Sequence, residues 1–112
     1  MAFTSEEIGS ALVIHLNEKY IDALNAPTVK GEIMALLKPG AKVILDLGDV
    51  EFLDSSGMGV ILSITRELSS SGGTLKLTNV KKAVRTLFEL VRFHRIIQIY
   101  DTTDAAVQSY TA

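Results

Sequence analysis

Residues 42–69 read KVILDLGDVEFLDSSGMGVILSITRELS and decide the fold. The first six of them, 42–47, are mostly apolar and predict a buried, central strand. Residues 48–55 predict a loop from which Phe52-Leu53 reaches back into the core. Residues 56–69 predict an amphipathic helix that ends at a Ser/Gly cluster. The apolar side of this helix carries Met58, Ile61, Leu62 and Leu68.

Strand and helix patterns alternate on both sides of this stretch. Short apolar runs predict further strands, which lie at residues 3–8, 11–16, 74–77 and 96–99. Apolar spacing and capping residues predict further helices, which lie at residues 25–37, 81–91 and 103–110. The helices at 25–37 and 81–91 carry inner faces formed by Val29, Ile33, Leu36 and Leu37, and by Val84, Leu87, Phe88 and Val91.

This order predicts one α/β domain over residues 1–112. Gly9-Ser10 has the composition of a tight turn, so the first two strands should form an antiparallel hairpin. The later strands alternate with helices and should pair in parallel. We therefore expect a mixed, mostly parallel sheet with an N-terminal hairpin and about four helices.

The composition is that of a folded protein of the reducing cytoplasm. The chain has 112 residues, of which 47% are apolar, so it can bury a core. It has no cysteine, which excludes disulfides, a thiolate nucleophile and zinc–cysteine sites. Residues 1–7 lack the basic and apolar regions of a signal peptide, and no apolar run is long enough to span a membrane. We expect a cytoplasmic location and no membrane partner.

Charge is distributed unevenly along the chain. The net charge is −2, which offers no general attraction to nucleic acid. Residues 1–60 hold four lysines and nine acidic residues, a balance of −5, whereas residues 61–112 hold seven basic and four acidic residues, a balance of +3. Such asymmetry can steer a charged protein partner. It is equally compatible with two solvated surfaces.

The start of the second predicted helix is the strongest candidate for a site. Asp54 and Ser55 are both good N-cap residues. Gly57 and Gly59 follow within the first turns, although glycine costs about 1 kcal/mol relative to alanine inside a helix. Two early glycines suit either a docking surface or a close-packed turn. Exposed amides at a helix start also favour an anion such as phosphate, whereas simple capping is the alternative without function.

The stretch Leu53-Asp54-Ser55-Ser56-Gly57-Met58-Gly59-Val60-Ile61-Leu62 resembles the signature of STAS-domain anti-sigma factor antagonists, in which Asp-Ser-Ser/Thr-Gly-Leu-Gly opens the second helix. Nearly the whole chain is similar to this family: residues 43–47 resemble its central strand, Gly72-Gly73 the entry to the next strand, and residues 80–88 its third helix. The sequence departs from the family pattern in two places. Met58 replaces the usual Leu, and Lys19-Tyr20-Ile21-Asp22 stands where the family often has Gly-Glu-Leu-Asp.

The resemblance implies a binding protein and not an enzyme. It implies that Ser55 is the phosphoacceptor, with Asp54 orienting or hydrogen-bonding its hydroxyl. The partner implied is an anti-sigma factor that is also a serine kinase with a GHKL-type ATP site. This kinase binds the unphosphorylated chain and releases it on phosphorylation, and a phosphoserine phosphatase restores it. The partner-binding residues implied are Asp54, Ser56, Gly57, Met58, Gly59 and Asp22; no cofactor and no metal are implied.

Other readings of the sequence fit less well. Asp46 suggests a phosphoaspartate receiver, but the pair of acids that would hold Mg²⁺ is missing after the preceding strand. A serine hydrolase needs a base and an oxyanion hole, whereas His15 is interpreted as a solvent-facing or satisfied strand residue and His94 as a surface loop residue. Gly57-Met58-Gly59 lacks the remainder of a nucleotide-binding fingerprint. A STAS scaffold or accessory subunit of a signalling assembly or transporter stays open as the alternative function.

Overall fold

A computed structural model describes residues 3–111 of the chain. Its main sheet has five strands in the order β1-β2-β4-β6-β7. The antiparallel hairpin turns at Gly9, whose φ is +61°; the other neighbours are parallel. These strands are β1 (Phe3–Ile8), β2 (Ala11–Leu16), β4 (Lys42–Asp46), β6 (Thr74–Thr78) and β7 (Gln98–Tyr100). The predicted fold class, a mixed and mostly parallel sheet with an N-terminal hairpin, is confirmed.

Four α-helices cover the two faces of the sheet within the described residues. They are α1 (Ala26–Met34), α2 (Ser55–Ser70), α3 (Lys82–Leu90) and α4 (Thr103–Thr111). The first three pack on one face, where Ile33, Ile64 and Phe88 belong to the main core. The α4 helix packs on the other face through Ala106, against a smaller cluster formed by Ala11, Val13 and Ile44.

The predicted loop 48–55 is partly wrong. Phe52–Leu53 forms a short strand, β5, which pairs in parallel with a second short strand, β3 (Tyr20–Ile21). Successive side chains of a strand point to opposite faces. Leu53 is therefore buried as predicted, whereas Phe52 is 53% exposed and does not reach the core.

The region after α3 also differs from the prediction. The left-handed conformation of Arg92, with φ of +60°, ends the helix, and Phe93–Arg95 forms a 3-10 turn. As a result Val91 is exposed, contrary to its predicted place on the inner face of the helix. The last strand starts at Gln98 and not at Ile96, because the 3-10 turn uses the residues before it. Ile96 is exposed and Ile97 is buried.

No helix within residues 3–111 is both long enough and apolar enough to cross a membrane.

Candidate functional site

The candidate site lies at the N-terminus of α2, where Asp54 is the N-cap. One carboxylate oxygen of Asp54, Oδ1, accepts hydrogen bonds from the backbone N–H groups of Ser56, at 2.8 Å, and Gly57, at 3.2 Å. The backbone N–H of Asp54 donates to the carbonyl of Ile21 in β3, at 3.2 Å. These bonds fix the start of the helix relative to the small β3–β5 sheet. The helix begins at Ser55, one residue earlier than predicted.

Ser55 is the first helical residue and its side chain is exposed. The resemblance implies that Asp54 orients or hydrogen-bonds the Ser55 hydroxyl. The hydrogen bond is absent, because Asp54 uses its carboxylate for capping and Oγ of Ser55 makes no hydrogen bond within residues 3–111. Asp54 thus positions Ser55 through the backbone. A negative group at this place faces the positive end of the α2 dipole.

The two early glycines of α2 have different environments. A Cβ added to Gly57 would lie 2.8 Å from the carbonyl oxygen of Ile21 and 2.8 Å from Cβ of Leu53. Gly57 therefore lets the helix approach the β3–β5 sheet closely. A Cβ added to Gly59 would meet nothing within 4 Å. Gly57 therefore lies in a close-packed turn, whereas Gly59 lies at an accessible surface.

A groove of about 360 Å³ opens beside the site, between the starts of α1 and α2. Ser56 and Gly59 line it from α2, and Pro27 and Lys30 line it from α1. Its floor and walls are made mostly of small residues, so a partner side chain can enter. Met58 does not line this groove; it is half-buried and packs against the main core.

Three large apolar side chains are exposed in the segments that lead into α1 and α2. Tyr20 is 56% exposed, Phe52 is 53% exposed and Leu24 is 92% exposed. Tyr20 and Phe52 are paired across the β3–β5 sheet, so their side chains lie side by side. Asp22, Asp49 and Glu51 are acidic residues within three positions of them in the sequence. We call these six residues the acidic apolar surface.

Sequence reasoning did not identify Tyr20, Leu24 and Phe52 as site residues. The signal available was the placement of apolar residues next to acids in segments too polar for the core, but periodicity cannot detect strands of two residues.

Asp22 lies next to the site, and its side chain is engaged in a turn. Its carboxylate accepts a hydrogen bond from the N–H of Leu24, at 2.9 Å, and its own N–H donates to Oδ1 of Asn25, at 3.0 Å. Asp22 therefore orders the turn that leads into α1. Because Ile21 bonds to Asp54, this turn lies beside the start of α2.

His15 is a satisfied strand residue, as expected. Its Nδ1 lies 2.6 Å from Oδ2 of Asp46 and its Nε2 lies 2.8 Å from Oε2 of Glu6. Burial acts to lower the pKa of His15, but the hydrogen bonds and the charges of Asp46 and Glu6 outweigh it and raise the pKa above 6.5. Oδ1 of Asp46 also accepts from the N–H of Gly48 and the amide of Asn79. Asp46 is thus occupied in structural contacts.

No cluster of three or more potential metal ligands occurs among the residues that the structure describes.

Comparisons of the sequence and the fold with those of known proteins identify related proteins. The STAS domain family matches residues 2–106. The anti-sigma-B factor antagonist of Bacillus subtilis is 32% identical over 88 residues, which are 79% of this chain and 81% of that protein. The crystal structure of an anti-sigma factor antagonist from Mycobacterium paratuberculosis has the same fold, with a TM-score of 0.86, 22% identity, and coverage of 98% of this chain and 93% of that chain.

A second solved structure is that of the Bacillus cell fate determinant SpoIIAA in its phosphorylated form. Its TM-score is 0.71 and its identity is 25%, and the match covers 97% of this chain and 99% of that chain.

Proposed function

The chain belongs to the STAS domain family, and we propose that it is an anti-sigma factor antagonist whose binding is switched at Ser55. In its unphosphorylated form it binds an anti-sigma factor that carries GHKL-type serine kinase activity. Phosphorylation of Ser55 by this kinase releases the complex, and a phosphoserine phosphatase restores the binding form. The chain acts in the cytoplasm and catalyses no reaction itself. The name of its Bacillus subtilis relative, an anti-sigma-B factor antagonist, supports this role.

The observation that carries the proposal is the state of the Ser55 hydroxyl. It is exposed at the first position of α2 and engaged in no hydrogen bond within the described chain, so a kinase can reach it without unfolding the helix. Ser56, by contrast, is half-buried and faces the groove between α1 and α2. The geometry favours Ser55 over its neighbour as the acceptor.

The surroundings of Ser55 suit a protein partner. Tyr20, Leu24 and Phe52 offer apolar contact area, and Gly59 leaves the adjoining groove open. A few well-covered residues, among which Tyr, Trp and Arg are enriched, supply most of the affinity of typical interfaces. We propose that Asp54, Gly57 and Asp22 contribute by holding this surface in place, and that Ser56 and Gly59 contact the partner through the groove. Met58 supports α2 from the core side.

Phosphorylation would act at the interface. A phosphate adds a charge of about −1.5 to −2 at pH 7. In the free chain this charge is solvated and lies at a favourable helix end. In the complex the partner would have to cover it, and burying an unpaired charge costs several kcal/mol. The same group is therefore tolerated in the free chain and excludes the partner.

The partner and the acceptor can be tested in one series. The wild-type chain is used to capture proteins from its native cell extract, and the captured kinase is purified and incubated with ATP and the wild type, Ser55→Ala or Ser56→Ala. We expect a GHKL-type kinase that modifies the wild type and Ser56→Ala but not Ser55→Ala. Phosphate transfer that is lost only in Ser56→Ala would show that Ser55 is not the acceptor. Capture of a transporter subunit in place of a kinase would refute the proposed role as an anti-sigma factor antagonist.

A further inference from the structure

The exposed large apolar side chains in residues 3–111 fall into two groups. Tyr20, Leu24 and Phe52 belong to the acidic apolar surface described above. The other group consists of Leu90, Val91 and Ile96, which are 76%, 48% and 61% exposed. These three lie within seven consecutive residues, at the end of α3 and after its 3-10 turn.

The second group is held rigidly. The N–H of Arg92 donates to the carbonyl of Glu89, and the N–H of Ile96 donates to that of Phe93, at 3.1 and 2.9 Å. Phe93 is buried and its ring lies 4.9 Å from that of Phe88. Because Phe93 and Ile97 fill the inward positions, the exposed apolar residues of this turn cannot rotate into the core. We call residues 90–96 the basic knob.

Charge distinguishes the knob from the acidic apolar surface. Arg92, His94 and Arg95 are all exposed on it. Neither arginine forms an ion pair among the residues that the structure describes. Around the acidic apolar surface, residues 18–24 and 49–54 contain five acidic residues and one lysine. Both surfaces therefore carry exposed apolar side chains, but the knob is positively charged and the acidic apolar surface is negatively charged.

The two surfaces lie at opposite ends of the strands. The α3 helix connects the parallel strands β6 and β7, so it runs back from the end of β6 to the start of β7. The basic knob therefore lies at the edge of the sheet where the parallel strands start. Ser55 and the acidic apolar surface follow the ends of β2 and β4, which are parallel to each other, at the other edge. One molecule cannot bring its own two surfaces together, but two molecules can.

We propose that copies of this chain associate head to tail, with the basic knob of one copy on the acidic apolar surface of the next. The contact pairs Arg92 and Arg95 with Asp49 and Glu51, while Leu90 and Ile96 cover Tyr20 and Phe52. Small interfaces of this kind are weak, so association occurs at high concentration and low salt. It covers the surroundings of Ser55 and competes with any partner that binds there.

Sedimentation velocity over a concentration series at low salt tests the proposal. The wild type should show a mass above that of the monomer, which falls as salt is added. Arg92→Glu/Arg95→Glu and Asp49→Arg/Glu51→Arg should each be monomeric, because each lacks one of the two surfaces. Their equimolar mixture should associate again, since the intact knob of one variant meets the intact acidic surface of the other and the two exchanged sets of charges also attract each other.

Lys81→Glu/Lys82→Glu is the matched control, because it makes the same charge change at the other end of α3 and should still associate. Thermal melts of all variants check that each is folded. A wild type that stays monomeric throughout overturns the proposal. So does a mixture of folded variants that stays monomeric, or an Arg92→Glu/Arg95→Glu variant that self-associates as the wild type does.

Discussion

Gly57→Ala should destabilise the chain although alanine is the better helix former. Its new Cβ would lie 2.8 Å from both the Ile21 carbonyl oxygen and Cβ of Leu53, neither of which can move without shifting the β3–β5 sheet. Overpacking of this kind costs about 1–3 kcal/mol. Helix propensity returns up to about 1 kcal/mol. With the full propensity gain subtracted, the free energy of unfolding falls by up to about 2 kcal/mol.

Gly59→Ala and Gly31→Ala are matched controls. Each glycine lies inside a helix, and an added Cβ meets nothing within 4 Å in either case. Only the propensity term remains, so each variant should gain about 0.5–1 kcal/mol. Gly31 does not line the groove beside Ser56, whereas Gly59 does. Gly59→Leu should therefore weaken partner binding, and Gly31→Leu should not.

Thermal or urea unfolding measures these differences. One kcal/mol corresponds to a change in Tm of roughly 4 °C for a domain of about this size. Gly57→Ala should melt below the wild type and both control variants above it. If Gly57→Ala is as stable as Gly59→Ala, the close approach of α2 to the β3–β5 sheet does not determine the residue at this position.

Three further outcomes follow from the site and its neighbourhood. Asp54→Ala removes the cap of α2 and should lower the free energy of unfolding in urea by about 0.5–2 kcal/mol. An unchanged midpoint would show that the cap does not stabilise the chain. Because the pKa of His15 is raised on folding, its contacts with Glu6 and Asp46 stabilise the chain below about pH 6.5 and are lost as the pH rises through the higher folded value. Tm should fall over that range in the wild type and much less in His15→Gln; identical profiles would contradict this. Phosphorylation of Ser55 should change the stability of the free chain by less than about 1 kcal/mol, because the favourable helix end and the nearby Asp54 charge oppose each other, and a much larger shift in Tm would indicate remodelling of the fold.

The elements with clear periodicity could be predicted from the sequence. The central strand was expected at residues 42–47 and is found at Lys42–Asp46, and α2 was expected at 56–69 and is found at Ser55–Ser70. Both follow from apolar spacing, which reports burial directly. The hairpin at Gly9 follows from turn composition in the same way.

Features that depend on tertiary contacts could not be predicted. The β3–β5 sheet has two residues in each strand and exists because Ile21 and Leu53 are buried side by side. The different roles of Gly57 and Gly59 depend on which side of α2 meets that sheet. The exposure of Val91 and Ile96 depends on the left-handed conformation of Arg92, which no local propensity requires.

Isothermal titration of the chain with its anti-sigma factor kinase, in the absence of ATP, tests whether negative charge at Ser55 switches binding. Wild type and Ser55→Ala should bind with affinities of the same order. Ser55→Asp should bind at least about tenfold more weakly, which corresponds to about 1.4 kcal/mol. Ser69→Asp, which adds the same charge at the exposed far end of α2, should bind as the wild type does. Equal affinities for Ser55→Asp and the wild type would contradict a switch based on negative charge at Ser55.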